Sequence, residues 1–364
     1  MNLTDRTDLT GLHDDRVSRT PLNELQKAER DMYFQRISDG AYALHQHAAC
    51  PICGSDHGAA VARKDRYGIP QTTVVCRDCG LVYAMDPLDG PSLIKFYREQ
   101  YRRLYDGHEA TSAHKAEYHE LRFADRVEDA EIFLGQVSKV VSLPQKGTVV
   151  EIGSGGGWNL SGFPAKGWTA IGYDYDVDEM EHGIRRGLDM RSGSIEKAVS
   201  DGVKADIVLM IQFLEHAADP VATLRNAAKL LNPSGVVYIG VPGLKAMVLG
   251  AWGDKLAGNL QNAHLFLFEL ETLDTTASKA GLKRLWGSEG CTAIYGLNPE
   301  STTAPTAPVN KPRGEETLRY IALLERTSIL WGIIWKICGG PDSRASCFVR
   351  RIAAAMARRL GYNI

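Results

Sequence analysis

The clearest pattern in the chain is an apolar run that ends in a series of glycines. In residues 149–157 two valines precede an acid and an isoleucine, and glycines then recur at every second position, as Gly153, Gly155 and Gly157. β-Branched residues in an unbroken apolar run are typical of a strand buried in a parallel sheet. Glycines after the strand allow a sharp turn and the close approach of a ligand, because no Cβ is in the way. The pattern predicts a strand, a glycine turn, and a helix from about Trp158 whose N-terminal amides face the ligand.

Similar apolar runs alternate with helical patterns through the rest of the C-terminal part. The spacing predicts strands at residues 166–174, 204–211 and 236–241, and a final strand pair at 282–287 and 291–295. Helices are predicted from Pro220, which follows Asp219, and over residues 264–280, with a turn at 232–235. Strands that alternate with helices form a mainly parallel sheet with right-handed crossovers. The predicted fold class is therefore α/β, with helices on both faces of the sheet.

The N-terminal part has a different pattern, in which predicted helices flank a region rich in cysteine. Apolar residues recur three and four apart from Leu93 to Tyr105, and further helices are predicted over residues 25–44 and 118–141. The predicted boundaries are an extension at 1–45, a cysteine-rich module at 46–90, a helical cap at 91–143, an α/β domain at 144–300, and a linker with a basic helical segment at 301–364.

Composition narrows the class of protein. Hydrophobic residues make up 44% of the 364 residues and charged residues 24%, which is ordinary for a globular chain. The net charge of -2 gives no general reason to expect nucleic acid as a partner. The N-terminus lacks the apolar core of a signal peptide, and no apolar run approaches the ~20 residues that span a bilayer. These features favour a cytoplasmic protein.

Four of the 7 cysteines lie in two close pairs, Cys50 with Cys53 and Cys76 with Cys79. Each pair has the spacing Cys-x-x-Cys-Gly, in which the glycine permits a tight turn around a bound ion. Two such pairs supply four thiolates, the ligand set of a closed structural zinc site. The spacing therefore predicts one structural Zn²⁺ rather than a disulfide framework, and His57 is expected to be a loop residue and not a ligand.

An acidic residue beyond the glycine turn supports the prediction of a nucleoside-binding site. Asp174 ends the next predicted strand, about 20 residues beyond the glycines, where a Rossmann-type site places a carboxylate on ribose hydroxyls. Asp176 lies close by and leaves open which acid contacts the ribose. Glu151 lies inside the first motif, and a carboxylate there suits a cationic ligand better than a pyrophosphate.

Taken together, these motifs resemble class I S-adenosylmethionine (SAM) methyltransferases that carry an N-terminal zinc-binding module, a kind often found among bacterial genes for polysaccharide or sugar modification. The resemblance runs from Cys50 to about Tyr295. It rests on both cysteine pairs, the tyrosine-rich stretch 96–105, the glycine turn with Glu151, and the segments Gly172–Asp174, Leu214–His216 and Ala263–Phe268. Ser234 departs from the family pattern, which usually has glycine there. The resemblance implies a Rossmann-like domain with a mainly parallel seven-stranded sheet.

The resemblance also implies the cofactors and the residues that contact them. The expected cofactors are SAM and a structural Zn²⁺. The expected SAM-binding residues are Glu151, Gly153, Ser154, Gly155, Gly157, Asp174, Tyr175, Ser194, Ile195 and Gln212.

Methyl transfer from a sulfonium mainly requires that nucleophile, carbon and sulfur are held in line. A hydroxyl nucleophile also benefits from a general base, and histidine suits neutral pH. His264 and His216 are the candidates, with Tyr97 as a further residue of the acceptor pocket, although each histidine is also explained as a hydrogen-bonding residue that shapes the site. The favoured function is methylation of a small molecule or glycan. A methyltransferase that grips RNA through its zinc module and a non-catalytic SAM-binding protein are the alternatives.

The C-terminal segment carries an apolar stripe next to basic residues. Val349, Ile352, Met356 and Leu360 fall three or four apart, and arginines flank them. Trp331 and Trp335 lie upstream in an apolar run. Tryptophan beside basic residues is typical of a helix at a membrane interface. An apolar stripe is first of all a packing surface, so packing on the domain or on a second subunit is the favoured interpretation. Peripheral membrane contact and a homodimer both remain open.

Overall fold

The computed structural model describes residues 16–107, 112–126, 128–248, 256–298 and 313–338, with Val349, Ala353 and Ala355. Its helices are α1 (Glu24–Ser38), α2 (Gly90–Glu99), α3 (Tyr101–Asp106), α4 (Ser112–Asp125), α5 (Asp129–Val137), α6 (Val177–Arg185), α7 (Ile195–Ser200), α8 (Pro220–Leu230), α9 (Leu244–Val248), α10 (Leu256–Asn259), α11 (Leu270–Lys279) and α12 (Gly314–Cys338). Its strands are β1 (Gly58–Lys64), β2 (Pro70–Cys76), β3 (Val82–Ala84), β4 (Thr148–Ile152), β5 (Thr169–Asp174), β6 (Asp189–Ser192), β7 (Ala205–Ile211), β8 (Leu231–Gly240), β9 (Phe266–Leu267), β10 (Leu282–Ser288) and β11 (Thr292–Leu297).

Seven strands form one sheet, in the order β10-β11-β8-β7-β4-β5-β6. The five strands from β8 to β6 are parallel, and β11 pairs antiparallel with both β8 and β10. Helices cover both faces, since Val149 packs with Phe133 of α5 on one side and Val150 packs with Leu224 of α8 on the other. The predicted α/β fold with a mainly parallel seven-stranded sheet is confirmed.

The helix expected from Trp158 is absent, and this prediction was wrong. The chain after the glycine turn makes two short 3₁₀ turns instead, at Trp158–Leu160 and Pro164–Lys166. A continuous helix through this segment would place Pro164 in its interior, where proline lacks the required N–H and clashes with the preceding turn. The turns therefore close with bonds between residues three apart, such as Phe163 N to Leu160 O at 3.1 Å.

Other boundaries also differ from the sequence prediction. The helix predicted over 25–44 ends at Ser38, and the helix predicted over 118–141 is divided into α4 and α5. Residues 232–235 form no separate turn but belong to β8, where the register against β7 shifts between the pairs Ala205–Leu231 and Ile207–Val236. The helix predicted over 264–280 begins only at Leu270, so residues 264–269 are not helical. Phe266 and Leu267 form β9, which pairs with β3.

This pairing makes the second sheet a shared structure. Its order is β1-β2-β3-β9, so three strands come from the cysteine-rich module and the fourth from the α/β part of the chain. Residues of both parts also pack in one apolar cluster, which includes Val61 and Val75 of the module, Met247 of α9 and Leu318 of α12. The boundary predicted at residue 90 therefore does not separate two independent cores.

Helix α12 fixes the second cysteine pair to the α/β part. Gly314 N donates to the carbonyl of Arg77 at 2.9 Å, and the Arg77 side chain pairs with Glu315. Thr317 Oγ1 lies 2.8 Å from Glu269 Oε1, to which it donates, and 3.2 Å from the carbonyl oxygen of Gly80. The first part of the predicted basic helical segment thus packs on the rest of the chain, which was one of the two interpretations of this segment.

The predictions for the C-terminal tail mostly concern residues outside the described part of the chain. Of the predicted stripe only Val349 is described, and the side chains of Trp331 and Trp335 are not. Among the helices that are described, none is both long enough and apolar enough to cross a bilayer. Peripheral membrane contact and dimer formation stay predictions.

We expect Thr317→Val to destabilise the whole chain by about 1–3 kcal/mol, because the buried Glu269 side chain loses the hydroxyl that donates to it. Thr327→Val on the same helix is the control, since the Thr327 hydroxyl only donates to the carbonyl of Leu323 within α12. Its expected cost is within about 0.5 kcal/mol. Urea unfolding followed by circular dichroism measures both, and equal costs would contradict the role given to Thr317.

Candidate functional site

The glycine turn and Asp174 form one hydrogen-bonded unit at the carboxyl edge of the sheet. Gly153, Gly155 and Gly157 have φ of +74°, +51° and +80°, the left-handed region that other residues adopt only with strain. Gly155 N donates to Asp174 Oδ2 at 2.7 Å, and Asp176 N donates to Asp174 Oδ1 at 2.8 Å. Asp174 is thereby held in a fixed orientation beside the turn, with lone pairs left for a ligand.

The geometry gives Asp176 a different local task. Its Oδ1 accepts from Glu179 N at 3.1 Å, which makes it the N-cap of α6. Burial raises the pKa of both Asp174 and Asp176 above the ordinary value, while backbone donors and Arg102 counteract part of that rise. The choice between the two acids at the ribose stays a prediction.

A cavity of about 400 Å³ opens beside this unit. Five of the ten expected SAM-binding residues line it, namely Gly153, Asp174, Tyr175, Ser194 and Gln212. Tyr97 and His216, two of the three catalytic candidates, line it as well. The other five expected SAM-binding residues do not line it, namely Glu151, Ser154, Gly155, Gly157 and Ile195.

Glu151 is buried, with 1% of its surface exposed. Asn159 Nδ2 donates to its Oε1 at 2.5 Å, and Arg126 donates in turn to Asn159 Oδ1 at 3.0 Å. Burial raises the pKa of Glu151 to about 8, so the carboxyl is protonated at neutral pH in the absence of a ligand. A cation nearby would favour the ionised form, but a contact between Glu151 and a methionine ammonium stays a prediction.

Sequence reasoning missed Arg102 and Phe213. Arg102 lines the cavity and faces Asp176 at 3.8 Å and Glu179 at 3.9 Å, so its charge sits next to the acids of α6. Phe213 also lines the cavity, and its ring packs on Gly153 so closely that a Cβ there would come within 2.5 Å of it. Arg102 follows Tyr101 in the tyrosine-rich stretch, which was the available hint, whereas nothing in the sequence singles out Phe213.

The histidines meet at one edge of the cavity. His216 Nδ1 lies 2.5 Å from the Tyr97 hydroxyl and 2.8 Å from the carbonyl oxygen of Ala263. The rings of His216 and His264 are 4.7 Å apart at an angle of 81°, and Glu215 Oε1 lies 3.8 Å from His216 Nε2. His264 does not line the main cavity but a much smaller one beside β3 and β9. The structure thus brings Tyr97, His216 and His264 together, with His264 behind His216.

Burial controls the protonation of this edge. It lowers the pKa of His216 to about 4 and that of His264 well below the ordinary value, so both rings are neutral at pH 7. It raises the pKa of Glu215 to about 8. Neutral imidazoles carry a free lone pair, which is able to accept a proton or bind a metal ion.

The four cysteines of the two pairs converge on one point. All four Sγ atoms lie within 4.8 Å of one another, with Cys50 and Cys79 at 3.6 Å and Cys53 and Cys76 at 3.5 Å. Thiolates bound tetrahedrally to zinc are roughly 3.8 Å apart, so the arrangement fits that ion. The turns are built as expected, with Gly54 and Gly80 at φ of +77° and +81° and His57 outside the cluster.

Comparison with known proteins agrees with this geometry. Residues 122–285 match a family model described as a methyltransferase domain. The chain is 31% identical over 115 residues to the ubiquinone biosynthesis O-methyltransferase of Caulobacter vibrioides, a match that covers 29% of this chain and 46% of the relative. The enzyme of the same name from Bartonella bacilliformis is 34% identical over 97 residues, 25% of this chain and 39% of the relative. The matches thus span less than half the length of these two relatives.

Similarity to solved structures is distant. A SAM-dependent methyltransferase from Thermotoga maritima, described as a possible histamine N-methyltransferase, has 19% identity and a TM-score of 0.35, over 50% of this chain and 90% of its own. The family match and the order of the seven-stranded sheet carry the assignment instead. Residues 122–285 therefore match a methyltransferase domain, and the sheet has the Rossmann-like fold of methyltransferases.

Proposed function

We propose that the whole chain transfers the methyl group of SAM to a hydroxyl of a small molecule or a glycan. The observation that carries this proposal is one cavity that joins the glycine turn and Asp174 to the edge formed by Tyr97 and His216. Asp174, Tyr175 and Ser194 supply polar groups for the nucleoside end. The relatives from Caulobacter and Bartonella are named O-methyltransferases, which supports oxygen as the acceptor atom.

In the proposed reaction the S–CH₃ bond breaks as the O–CH₃ bond forms, and SAM leaves as S-adenosylhomocysteine. The protein contributes mainly by alignment of the two reactants. The acceptor's proton must leave as the new bond forms, and the neutral histidines are the groups at the cavity edge able to assist. Tyr97 positions His216 and closes the wall next to it, since its hydroxyl contacts Nδ1.

The aromatic side chains of the helical cap support the proposed class of acceptor. Tyr97, Tyr101 and Tyr105 stack in a column, with ring centroids 4.9 and 4.6 Å apart, and the first two line the cavity. Flat aromatic faces beside polar groups suit both sugar rings and planar phenols. This supports a small-molecule or glycan acceptor.

We also propose that Cys50, Cys53, Cys76 and Cys79 hold one structural Zn²⁺. The four thiols complete a tetrahedral shell and leave no open position, so the ion takes no part in methyl transfer. Its task is to hold the two turns that support β2 and β3.

We expect Asp174→Ala to weaken SAM binding by roughly 5–150-fold, which corresponds to a loss of about 1–3 kcal/mol for a charged hydrogen-bond partner. Asp176→Ala should instead remove the cap of α6 and lower the melting temperature with little change in affinity. Asp178→Ala is the control, because Asp178 is an exposed acid in the first turn of the same helix. Calorimetric titration decides, and loss of affinity in Asp176→Ala alone would transfer the ribose to Asp176.

We expect Cys76→Ser to lower the zinc content of the purified protein by one ion per chain. Because structural zinc contributes folding free energy on the order of 10 kcal/mol and the module shares a sheet with the rest of the chain, the whole chain should also melt at lower temperature. Cys291→Ser, at a buried cysteine outside the cluster, should keep its zinc. Equal zinc content in the two variants would refute the assignment.

We expect His264→Ala to lower turnover by roughly 10²–10⁴-fold, the range for loss of a group that assists proton removal, with unchanged SAM affinity. Turnover is measured on a hydroxyl acceptor identified with methyl-labelled SAM. His45→Ala, at an exposed histidine of the N-terminal region, serves as the control. Wild-type turnover in His264→Ala would return His264 to a purely structural role.

A further inference from the structure

Glu215 is an unusual carboxylate. It is buried, with 1% of its surface exposed, and neither of its side-chain oxygens has a hydrogen-bond partner among the described residues. His216 Nε2 lies 3.8 Å from Glu215 Oε1, which is beyond hydrogen-bond distance. A buried carboxyl without a partner is costly whether it is ionised or neutral, so the site lacks a group that would satisfy it.

Two histidines complete a ligand set around this carboxylate. One side-chain ligand atom each from Glu215, His216 and His264 lie within 4.8 Å of one another. Three ligands at about 2.0–2.2 Å from an ion would be drawn to roughly 3.3–3.6 Å apart, a contraction from the 3.8 Å between Glu215 and His216. In the described part of the chain this trio and the four cysteines are the two groups with such geometry.

The surroundings of His216 match those of a metal ligand. Metal-bound histidines usually donate the N–H of the other ring nitrogen to a carbonyl or a carboxylate, which fixes the tautomer. His216 Nδ1 lies 2.8 Å from the carbonyl oxygen of Ala263, so the proton on Nδ1 leaves Nε2 with its lone pair toward Glu215.

We propose that Glu215, His216 and His264 bind one divalent transition-metal ion, distinct from the ion of the cysteine cluster, whose open coordination position takes an oxygen of the methyl acceptor. Two imidazoles and one carboxylate suit zinc, iron(II), cobalt(II) or manganese(II). The ion supplies the partner that Glu215 lacks.

The position of the trio gives the ion access to the acceptor. His216 lines the cavity that also holds Asp174 and Gln212, so a ligand on the ion would lie within the same cavity as the cofactor. A hydroxyl bound to a divalent cation loses its proton more readily, and that proton passes to water. This inference rests on the proposed function. It changes the role of His216 and His264 from general bases to metal ligands.

The test is a titration of the zinc-loaded protein with Co²⁺, with total metal measured by mass spectrometry. Wild-type protein should bind one Co²⁺ beyond the cysteine-bound zinc, and the absorption should show weak d–d bands without sulfur-to-cobalt charge transfer. Glu215→Gln and His264→Ala should each weaken this binding by more than the roughly 10–100-fold typical of a lost outer-shell partner. His45→Ala should bind Co²⁺ like the wild type.

SAM titration of the same variants separates loss of the ion from loss of the fold. Glu215→Gln is isosteric and should keep SAM affinity and melting temperature while it loses Co²⁺; should it unfold, His264→Ala and its control decide. Absence of a second bound ion in the wild type, or Co²⁺ affinity unchanged in both ligand variants, overturns the inference. A failure of the proposed function would give a different result. The wild-type protein would then bind Co²⁺ but would neither bind SAM nor methylate a hydroxyl.

Discussion

A short series of backbone hydrogen bonds ties the cysteine module to the chemistry of the cavity. Ala84 N, at the end of β3, donates to the carbonyl of Leu265 at 2.8 Å, and Leu265 N donates to the carbonyl of Glu215 at 2.8 Å. The neighbouring carbonyl of Ala263 holds His216. Because β9 follows at once and pairs with β3, the segment that carries His264 is positioned by the module as well as by the α/β part of the chain. A change that destabilises the turns of the two cysteine pairs should therefore also alter the positions of His216 and His264.

Charge is distributed unevenly around the cavity, and burial is the cause. At the histidine edge burial favours the neutral forms of His216, His264 and Glu215. At the nucleoside end Arg102 faces the carboxylates of Asp176 and Glu179. In the metal-free site, a cationic sulfonium between the two ends would meet little repulsion from the uncharged histidines, whereas protonated imidazoles would oppose it. The low basicity of these rings thus suits the binding of SAM, at the cost of weak general bases.

The sequence allowed those features to be predicted that depend on local chemistry. The strand before the glycines, the alternation of strands and helices, and the convergence of the cysteines follow from periodicity and from ligand spacing, and the structure agrees with them. Strand β9 has two residues and no periodicity of its own, so its pairing with β3 is a tertiary effect that overrides the helical pattern around it. The missing hydrogen-bond partner of Glu215 was equally impossible to predict, since the burial of this side chain depends on tertiary packing.

The carboxyl edge of the sheet is also where the fold concentrates strain. Gln212 has φ of +53°, unusual for a residue with a side chain, and such a conformation costs of order 1–3 kcal/mol unless its surroundings enforce it. Here Gln212 N donates to the carbonyl of Gly240 at 2.7 Å, so the pairing of β7 with β8 holds the residue in place. Gln212 lines both the main cavity and a second one of about 350 Å³ on the side of Tyr238 and Gly243. A strained residue between two cavities and an unsatisfied carboxylate three residues later mark the stretch of chain from Gln212 to Glu215. This stretch is therefore locally less stable than it could be, as is expected at the place where cofactor and acceptor are proposed to meet.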